Sequence, residues 1–207
     1  MEWLYTDRLV DYEVALETMK DRVSCIQKHQ QPEMIWGLQH PPLFTAGTSS
    51  QDHDLLDNFG FPVYQVGRGG KFTYHGPGQL VVYVMIDLEK HHINIRQYIA
   101  VLETWLIESL KQFDIQAERR DNRIGIWVRN AAGQDEKIAA IGVRVTKGIT
   151  WHGLALNVSP DLEHFKGIVP CGLSEFGVTS MAKVGKQACV KEIYEILKKV
   201  CPFQLPE

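Results

Sequence analysis

The chain has 207 residues, 44% of them hydrophobic and 23% charged, the balance of a folded globule rather than a disordered chain. Lysine plus arginine number 22 against 25 acidic residues, a net charge of −3, which argues against a general polyanion-coating or nucleic-acid-binding protein. No apolar run approaches the ~20 residues that span a bilayer, and the N-terminal Met1–Arg8 carries acids and no basic head before an apolar segment, so neither a membrane span nor a signal or transit peptide is expected.

The first element is a helix: Tyr12, Leu16, Met19, Val23 and Ile26 recur at steps of four and three, and the stripe must end before Pro32. Met34–Leu38 reads as a short strand. Pro41-Pro42 opens an irregular stretch to about Asn58, and Phe61–Val66 reads as a second strand. Gly67, Gly69, Gly70, Gly76 and Gly78 then crowd one segment before Gln79–Asp87, an apolar β-rich run that reads as a buried central strand. Ile95–Phe113 reads as a helix with Tyr98, Leu102, Trp105, Ser109 and Phe113 inward and Asn94 as N-cap, Gln97 following three residues on. Strands Ile124–Val128 and Lys137–Thr146 flank a polar turn, and Lys147-Gly148 joins the latter to Ile149–Val158 in a tight hairpin. Val190, Ile193, Leu197 and Val200 line a last helix. The order does not alternate strand and helix strictly, so the expected class is α+β, one domain over residues 1–207, with a mainly antiparallel mixed sheet.

Four cysteines, at 25, 171, 189 and 201, stand no closer than 12 residues (201 − 189) and form no C-x-x-C pair. They are expected to be reduced thiols in a cytoplasmic protein, each by default a small buried apolar residue. The glycine-rich segment fails two phosphate-binding patterns. Gly70-Lys71 precedes Phe72 rather than Ser or Thr, and Gly76-Pro77-Gly78 leads into a strand without a third glycine. The histidines include no H-E-x-x-H, so no metal is expected. Arg68-Gly69-Gly70-Lys71-Phe72-Thr73-Tyr74-His75 then reads either as backbone passing close to a bound group or as a tight loop with a capping histidine. Small residues also recur in strands at Ala139, Ala140, Gly142, Gly153 and Ala155, where a ligand could lie against the sheet. In Val169-Pro170-Cys171-Gly172 a rigid residue precedes the thiol and a free one follows, a setting for an exposed nucleophile rather than a packed side chain.

Taken together and in this order, His40-Pro41-Pro42, Arg68–Gln79, Lys137–Arg144, His152–Asn157 and Pro170–Ser180 resemble the lipoate-protein ligase B family, the octanoyl-[acyl-carrier-protein]:protein octanoyltransferases. The resemblance implies a fold shared with biotin and lipoate protein ligases. It implies an acyl pocket from Arg68, Gly69, Gly70, Lys71, Phe72, Thr73, Tyr74 and His75, from Ala140, Ile141 and Gly142, and from Gly153, Leu154 and Ala155. It implies Cys171 as the acyl carrier and Lys137 as its partner. No cofactor is then required, neither ATP nor metal, since exchange of one thioester for another is nearly balanced and transfer to an amine is downhill.

A free thiol has a pKa of ~8.5, and an ammonium ~4 Å away can favour the thiolate by up to ~4 kcal/mol before desolvation subtracts from it. Once acylation removes the thiolate charge, Lys137 would serve as general base toward the incoming amine. The partners implied are an octanoyl-acyl carrier protein as donor and, as acceptor, lipoyl domains of 2-oxoacid dehydrogenases or the glycine cleavage H protein. Nucleic acid and membrane are not expected partners. Between Ile115 and Thr150 seven basic residues face four acidic ones, a weak signal for docking an acidic carrier. Two alternatives remain on sequence alone: an ATP-dependent lipoate or biotin ligase, and a non-catalytic acyl-binding relative.

Overall fold

The computed structural model describes residues 1–169 and 176–203. In chain order the elements are β1 (Glu2–Leu9), α1 (Tyr12–Gln27), β2 (Met34–Gln39), β3 (Leu43–Ala46), β4 (Val63–Gln65), β5 (Phe72–His75) and β6 (Gln79–Met85). They continue with α2 (Ile95–Lys111), β7 (Glu118–Arg120), β8 (Arg123–Arg129), β9 (Asp135–Thr146), β10 (Ile149–Asn157), β11 (Gly177–Val178) and α3 (Val190–Lys199). The large sheet runs β1-β2-β6-β10-β9-β8-β7, with β11 added to β9. Its pairs are antiparallel except β1 with β2 and β11 with β9. A small sheet, β4-β3-β5, stands apart. The class is therefore α+β with a mainly antiparallel mixed sheet, as the irregular order of elements suggests.

Alternation along β6 explains the layering. Leu80, Val82 and Val84 face α2 and α3, while Val81, Tyr83 and Met85 face α1. The α2 helix starts as its sequence dictates. The Asn94 side chain accepts from the backbone N–H of Arg96 and Gln97, and Gln97 accepts from the Asn94 N–H, a complete capping box. Trp105 sits at the centre of that layer, 1% exposed, with its indole N–H donating to the Leu197 carbonyl of α3 at 2.8 Å. The hairpin between β9 and β10 turns on Lys147 (φ 48°) and Gly148 (φ 82°), two left-handed residues that match the twist of the strands they join.

Five strands depart from the sequence reading. The Glu2–Leu9 strand was not expected. Neither was Leu43–Ala46, which lies inside the stretch read as irregular, because four consecutive buried residues show no period. Phe72–His75 belongs to a strand rather than to a loop, and it pairs with β3 from Leu43↔His75 to Ala46↔Phe72. The short β7 and β11 carry too few residues to be read. Two helix faces shift slightly: Ala15 is deeper than Leu16 in α1, and Phe113 falls beyond the end of α2.

Candidate active site

A cavity of about 570 Å³ opens between the large sheet and the small one, and its lining includes Tyr12 of α1 and Ile95 and Ile99 of α2. Three separate segments line it: the Arg68–Thr73 turn with His75, the small residues of β9 and β10, and Lys137. The cause is topological. The β8–β9 ladder reaches only Ile126↔Ala139 among the described residues, so from Ala140 onward β9 turns one edge toward the Arg68 segment. There the Gly69 N–H donates to the Val143 carbonyl at 3.0 Å and ties the glycine turn to that edge.

Arg68 holds the turn from inside. It is 8% exposed, and its guanidinium donates to the Thr45 carbonyl (2.9 Å), the Thr45 hydroxyl (2.7 Å) and the Gly69 carbonyl (3.0 Å). Gly70 takes a left-handed φ of 92°. A Cβ at Gly47 would meet the Gly70 carbonyl, so glycine at 47 is a condition of this turn that the sequence reading missed. Lys71 lines the cavity wall with its ammonium on the buried Asp54 carboxylate at 3.2 Å. Burial pushes that carboxyl up, but the Gln51 N–H and Lys71 outweigh it and hold it below the usual range.

His75 and Gln79 form the next layer. Gln79 gives its amide N–H to Asn157 Oδ1 at 2.9 Å, so its oxygen accepts from His75 Nδ1–H at 2.6 Å. Asn157 in turn donates to the Thr179 carbonyl at 2.9 Å, and the Thr179 N–H donates to the Lys137 carbonyl at 2.9 Å. A hydrogen-bonded line thus runs from the glycine-rich segment to the lysine strand. Burial, then repulsion from neighbouring His40, lowers the His75 pKa to about 3. His40 is likewise lowered to about 4 by burial. It donates from Nδ1 to the Val10 carbonyl (2.5 Å) and accepts the Tyr83 hydroxyl at Nε2 (2.7 Å).

Lys137 owes its position to a break in strand alternation. Ala139 packs into the α2-side core, and period two would send Lys137 the same way. The register instead steps from Ile126↔Ala139 to Trp127↔Lys137, which leaves Ile138 without an opposite residue. Ile138 takes the place in that core, and Lys137 turns into the cavity. Its ammonium donates to the Ile124 carbonyl at 3.0 Å and lies 4.9 Å over the Trp127 ring. Between those two residues stands Gly125, with a φ of 118°. A Cβ there would come within 2.9 Å of Lys137 Cε and 2.7 Å of the Ala139 carbonyl oxygen. Gly125 escaped the sequence reading, although a glycine inside the apolar run Ile124-Gly-Ile-Trp127 was its signal.

Most of the residues expected at the site meet at this cavity: Arg68, Gly69, Gly70, Lys71, Phe72, Thr73, His75, Lys137, Ala140, Ile141, Gly142, Gly153, Leu154 and Ala155. Tyr74 does not. Its ring packs against Phe44 and Phe165 beneath the small sheet, and its hydroxyl bonds with His164 Nδ1 at 2.9 Å. Two glycines line the wall for reasons other than room for a ligand. A Cβ on Gly142 would meet Arg68 Cδ at 2.9 Å, and one on Gly153 would meet the Val82 carbonyl of β6. Cys171, with Pro170 and Gly172, lies outside the described residues. The chain returns to β9 at Val178, opposite Lys137, seven residues later (178 − 171). The basic excess over Ile115–Thr150 is partly neutralised, because Arg119 pairs with Glu103, Arg120 with Glu118 and Asp135, and Arg123 with Asp135.

A sheet cavity that ends on a held lysine, reached through a glycine turn and walled by alanines and glycines, defines the class: a domain of the lipoate and biotin protein ligase fold. The structural likeness is to a bipartite lipoate protein ligase from Thermoplasma acidophilum, at a TM-score of 0.74 and 15% identity over 96% of this chain and 81% of that one. It extends to a biotin protein ligase from Aquifex aeolicus, at a TM-score of 0.55 and 13% identity over 97% and 67% of the two chains. By sequence, the model of the lipoyl protein ligase A/B catalytic domain matches residues 11–201, and the chain belongs to that family. Within it, the chain is 51% identical to an octanoyltransferase of Dinoroseobacter shibae over 96% of its own length and 94% of the relative's. No helix among the described residues is long and apolar enough to cross a membrane.

Proposed function

We propose that this octanoyltransferase-family chain moves an octanoyl group from the thioester of an acyl carrier protein to a lysine amine of a lipoyl domain, through a thioester on Cys171. The observation that carries the reading is Lys137, a lysine held inside an acyl-sized cavity on a strand whose register has been shifted to aim it there. The Cys171 thiolate attacks the donor carbonyl, a new C–S bond forms, and the carrier's thiolate leaves. The acceptor amine then attacks the acyl-enzyme, the C–S bond breaks, an amide forms, and the amine's proton passes to Lys137. An ammonium near the thiol favours the thiolate in the first step. The same group gives its proton to the departing carrier thiolate and, now neutral, takes the amine's proton in the second. Each half-reaction balances without ATP, metal or redox partner.

The alanines support this reading. Ala140 pairs with Ala155 across β9 and β10, and two methyl side chains leave the sheet surface low enough for an alkyl chain to lie along it. The test is a mass measurement. The protein and octanoyl carrier alone, without acceptor or ATP, should give free carrier and an octanoyl adduct on Cys171 that neutral hydroxylamine removes. Cys171→Ser should give no such adduct and no transfer, while Cys25, Cys189 and Cys201 should be replaceable. Strict dependence on ATP, or a donor bound with its thioester intact, would overturn the proposal.

A further inference from the structure

The peptide that holds Lys137 is itself held from its other side, by a residue the acyl-transfer steps above do not use. Ile95, Ile99 and Glu103 fall four apart on α2, so they share one face, and the two isoleucines line the cavity wall. Glu103 is an acid on that inward face, 9% exposed. One of its carboxylate oxygens accepts the Gly125 N–H at 3.3 Å, and the other lies 3.2 Å from Arg119 Nε. Arg119 is anchored in turn on the same helix, at the Ala100 carbonyl (2.5 Å) and the Thr104 hydroxyl. An opposite charge at this distance offsets the cost of burying the carboxylate.

Gly125 stands between strand pairs. Toward β7 the ladder joins Arg120↔Arg123 and Glu118↔Trp127, and toward β9 it begins at Ile126↔Ala139, so Gly125 has no opposite residue in either ladder among the described residues. Its N–H goes to a side chain instead. That N–H belongs to the same peptide group as the Ile124 carbonyl, which accepts the Lys137 ammonium at 3.0 Å. In a trans peptide the N–H and the C=O point in opposite directions. A single planar group thus separates the carboxylate on the α2 side from the ammonium on the cavity side.

We infer that Glu103 is a positioning residue for Lys137: its carboxylate, acting through the Ile124–Gly125 peptide, fixes where the lysine's ammonium sits in the cavity. The inference rests on the proposed acyl transfer. A charged acceptor on the N–H polarises the peptide and makes its carbonyl a stronger acceptor for the lysine. The anchor serves both half-reactions. In the first, it keeps in one place the cation that favours the thiolate. After Lys137 has given its proton to the departing thiolate, the neutral amine still donates an N–H to the Ile124 carbonyl, so its lone pair points away from that oxygen. The lone pair takes the proton of the incoming amine, and the ammonium is restored.

The experiment is a double-mutant cycle. Glu103→Met keeps the length of the side chain and removes the acceptor. Glu103→Gln keeps an oxygen for the Gly125 N–H and removes the charge. Each is made with Lys137 in place and with Lys137→Ala. All are loaded by excess octanoyl carrier protein at about pH 9, where an unaided thiol is ionised, and transfer to a lipoyl domain is followed by mass over a single turnover. With Lys137 in place, the methionine variant should slow transfer by about 100-fold, the scale of a ~1 Å misplacement, and the glutamine variant by about tenfold. With Lys137→Ala neither should slow it further by more than about threefold, because the residue acted on is gone. The glutamine variant decides the matter if the methionine variant does not fold. Transfer at the wild-type rate in folded variants, or the same loss in both backgrounds, would overturn the role of Glu103 and leave the acyl transfer standing. Failure of wild type to gain acyl mass from the carrier would overturn the transfer and the inference with it.

Discussion

Replacing Gly125 with alanine should disable Lys137 without touching it. The added Cβ would stand 2.7 Å from the Ala139 carbonyl oxygen and 2.9 Å from Lys137 Cε. Carbon and oxygen approach comfortably only to about 3.3 Å, so β9 or the lysine must yield by roughly 0.6 Å. The backbone resists as well, because φ at Gly125 is 118°, where a side chain is strained. Strain and overpacking together should cost about 1–3 kcal/mol, a fall of roughly 2–12 °C in melting temperature for a domain of this size. The effect on chemistry should be larger, since a misplacement of about 1 Å in a reacting group can lower a rate ~100-fold. Gly133→Ala is the matched comparison. Gly133 is also left-handed, at φ 77°, but a Cβ there meets nothing within 4 Å. It should lose about 1–2 kcal/mol of stability and no activity. Single-turnover acylation and thermal melts of both variants make the test. A folded Gly125→Ala protein that acylates and transfers at the wild-type rate would refute the claim that this glycine sets the lysine.

Lys137→Arg should keep part of the acylation rate, since a cation still faces the thiol, but should slow transfer to amine by ~100-fold or more, because guanidinium is no base near neutral pH; equal rates in that step would rule out proton transfer to Lys137. Ala155→Val should shift preference toward hexanoyl donors by narrowing the channel beside Ala140, and an unaltered chain-length profile would place the acyl group elsewhere. Acid should destabilise the protein before its carboxylates titrate. His40, His75 and His152 are lowered by burial to about 4, 3 and 3, with Arg68 adding to the effect on His75 and His152 and Arg144 on His152. With folded values below the unfolded 6.5, the unfolded chain binds more protons between them, so stability is lost as pH falls through that window. At pH 5.5 each neutral ring costs about 1.4 kcal/mol, or about 4 kcal/mol for the three, whereas the lowered carboxyls of Glu33, Asp54, Asp135 and Glu136 act only below about pH 4.5. Urea unfolding at pH 7.5 and 5.5 measures the difference, and equal stability would show that the rings are protonated in the fold.

Elements with a period or a cap are legible in the sequence. The α2 helix announces itself through Asn94, Gln97 and an inward face of Tyr98, Leu102 and Trp105, and the β9–β10 hairpin through Lys147-Gly148. What escaped has a physical reason in each case. The β3 strand is buried on all four residues, so its sequence alternates nothing. The β1 strand lies at a sheet edge, and its half-buried Trp3 and Tyr5 flank an exposed Leu4, so apolar residues follow one another without alternating. At the site, the Arg68 turn and the small residues of β9 and β10 were legible as a group. Their individual jobs were not: Gly142 and Gly153 read as space for a ligand, yet Arg68 occupies the one and the β6 backbone the other. Tyr74 sits within the same run of residues but points under the small sheet, because neighbours along a strand face opposite ways.

The three positions that sequence periodicity reads least well are those where the strands abandon it. Gly125 takes a φ closed to other residues, Ile138 stands unpaired in the ladder, and His152 is left-handed in mid-strand. Elsewhere the large sheet sends alternate residues to its two cores, and a strictly alternating β9 and β10 would bury both Lys137 and His152 among the apolar side chains of the α2 layer. A lysine or an unpaired imidazole there would face a desolvation cost with no compensating function. The register shift turns Lys137 to one end of the cavity, and the left-handed residue turns His152 to the other. The regular stretch between them, Ala140 and Ala155 paired side by side, forms the floor. Two local departures from the strand pattern thus let one sheet carry two apolar cores and a cavity with polar side chains in its wall.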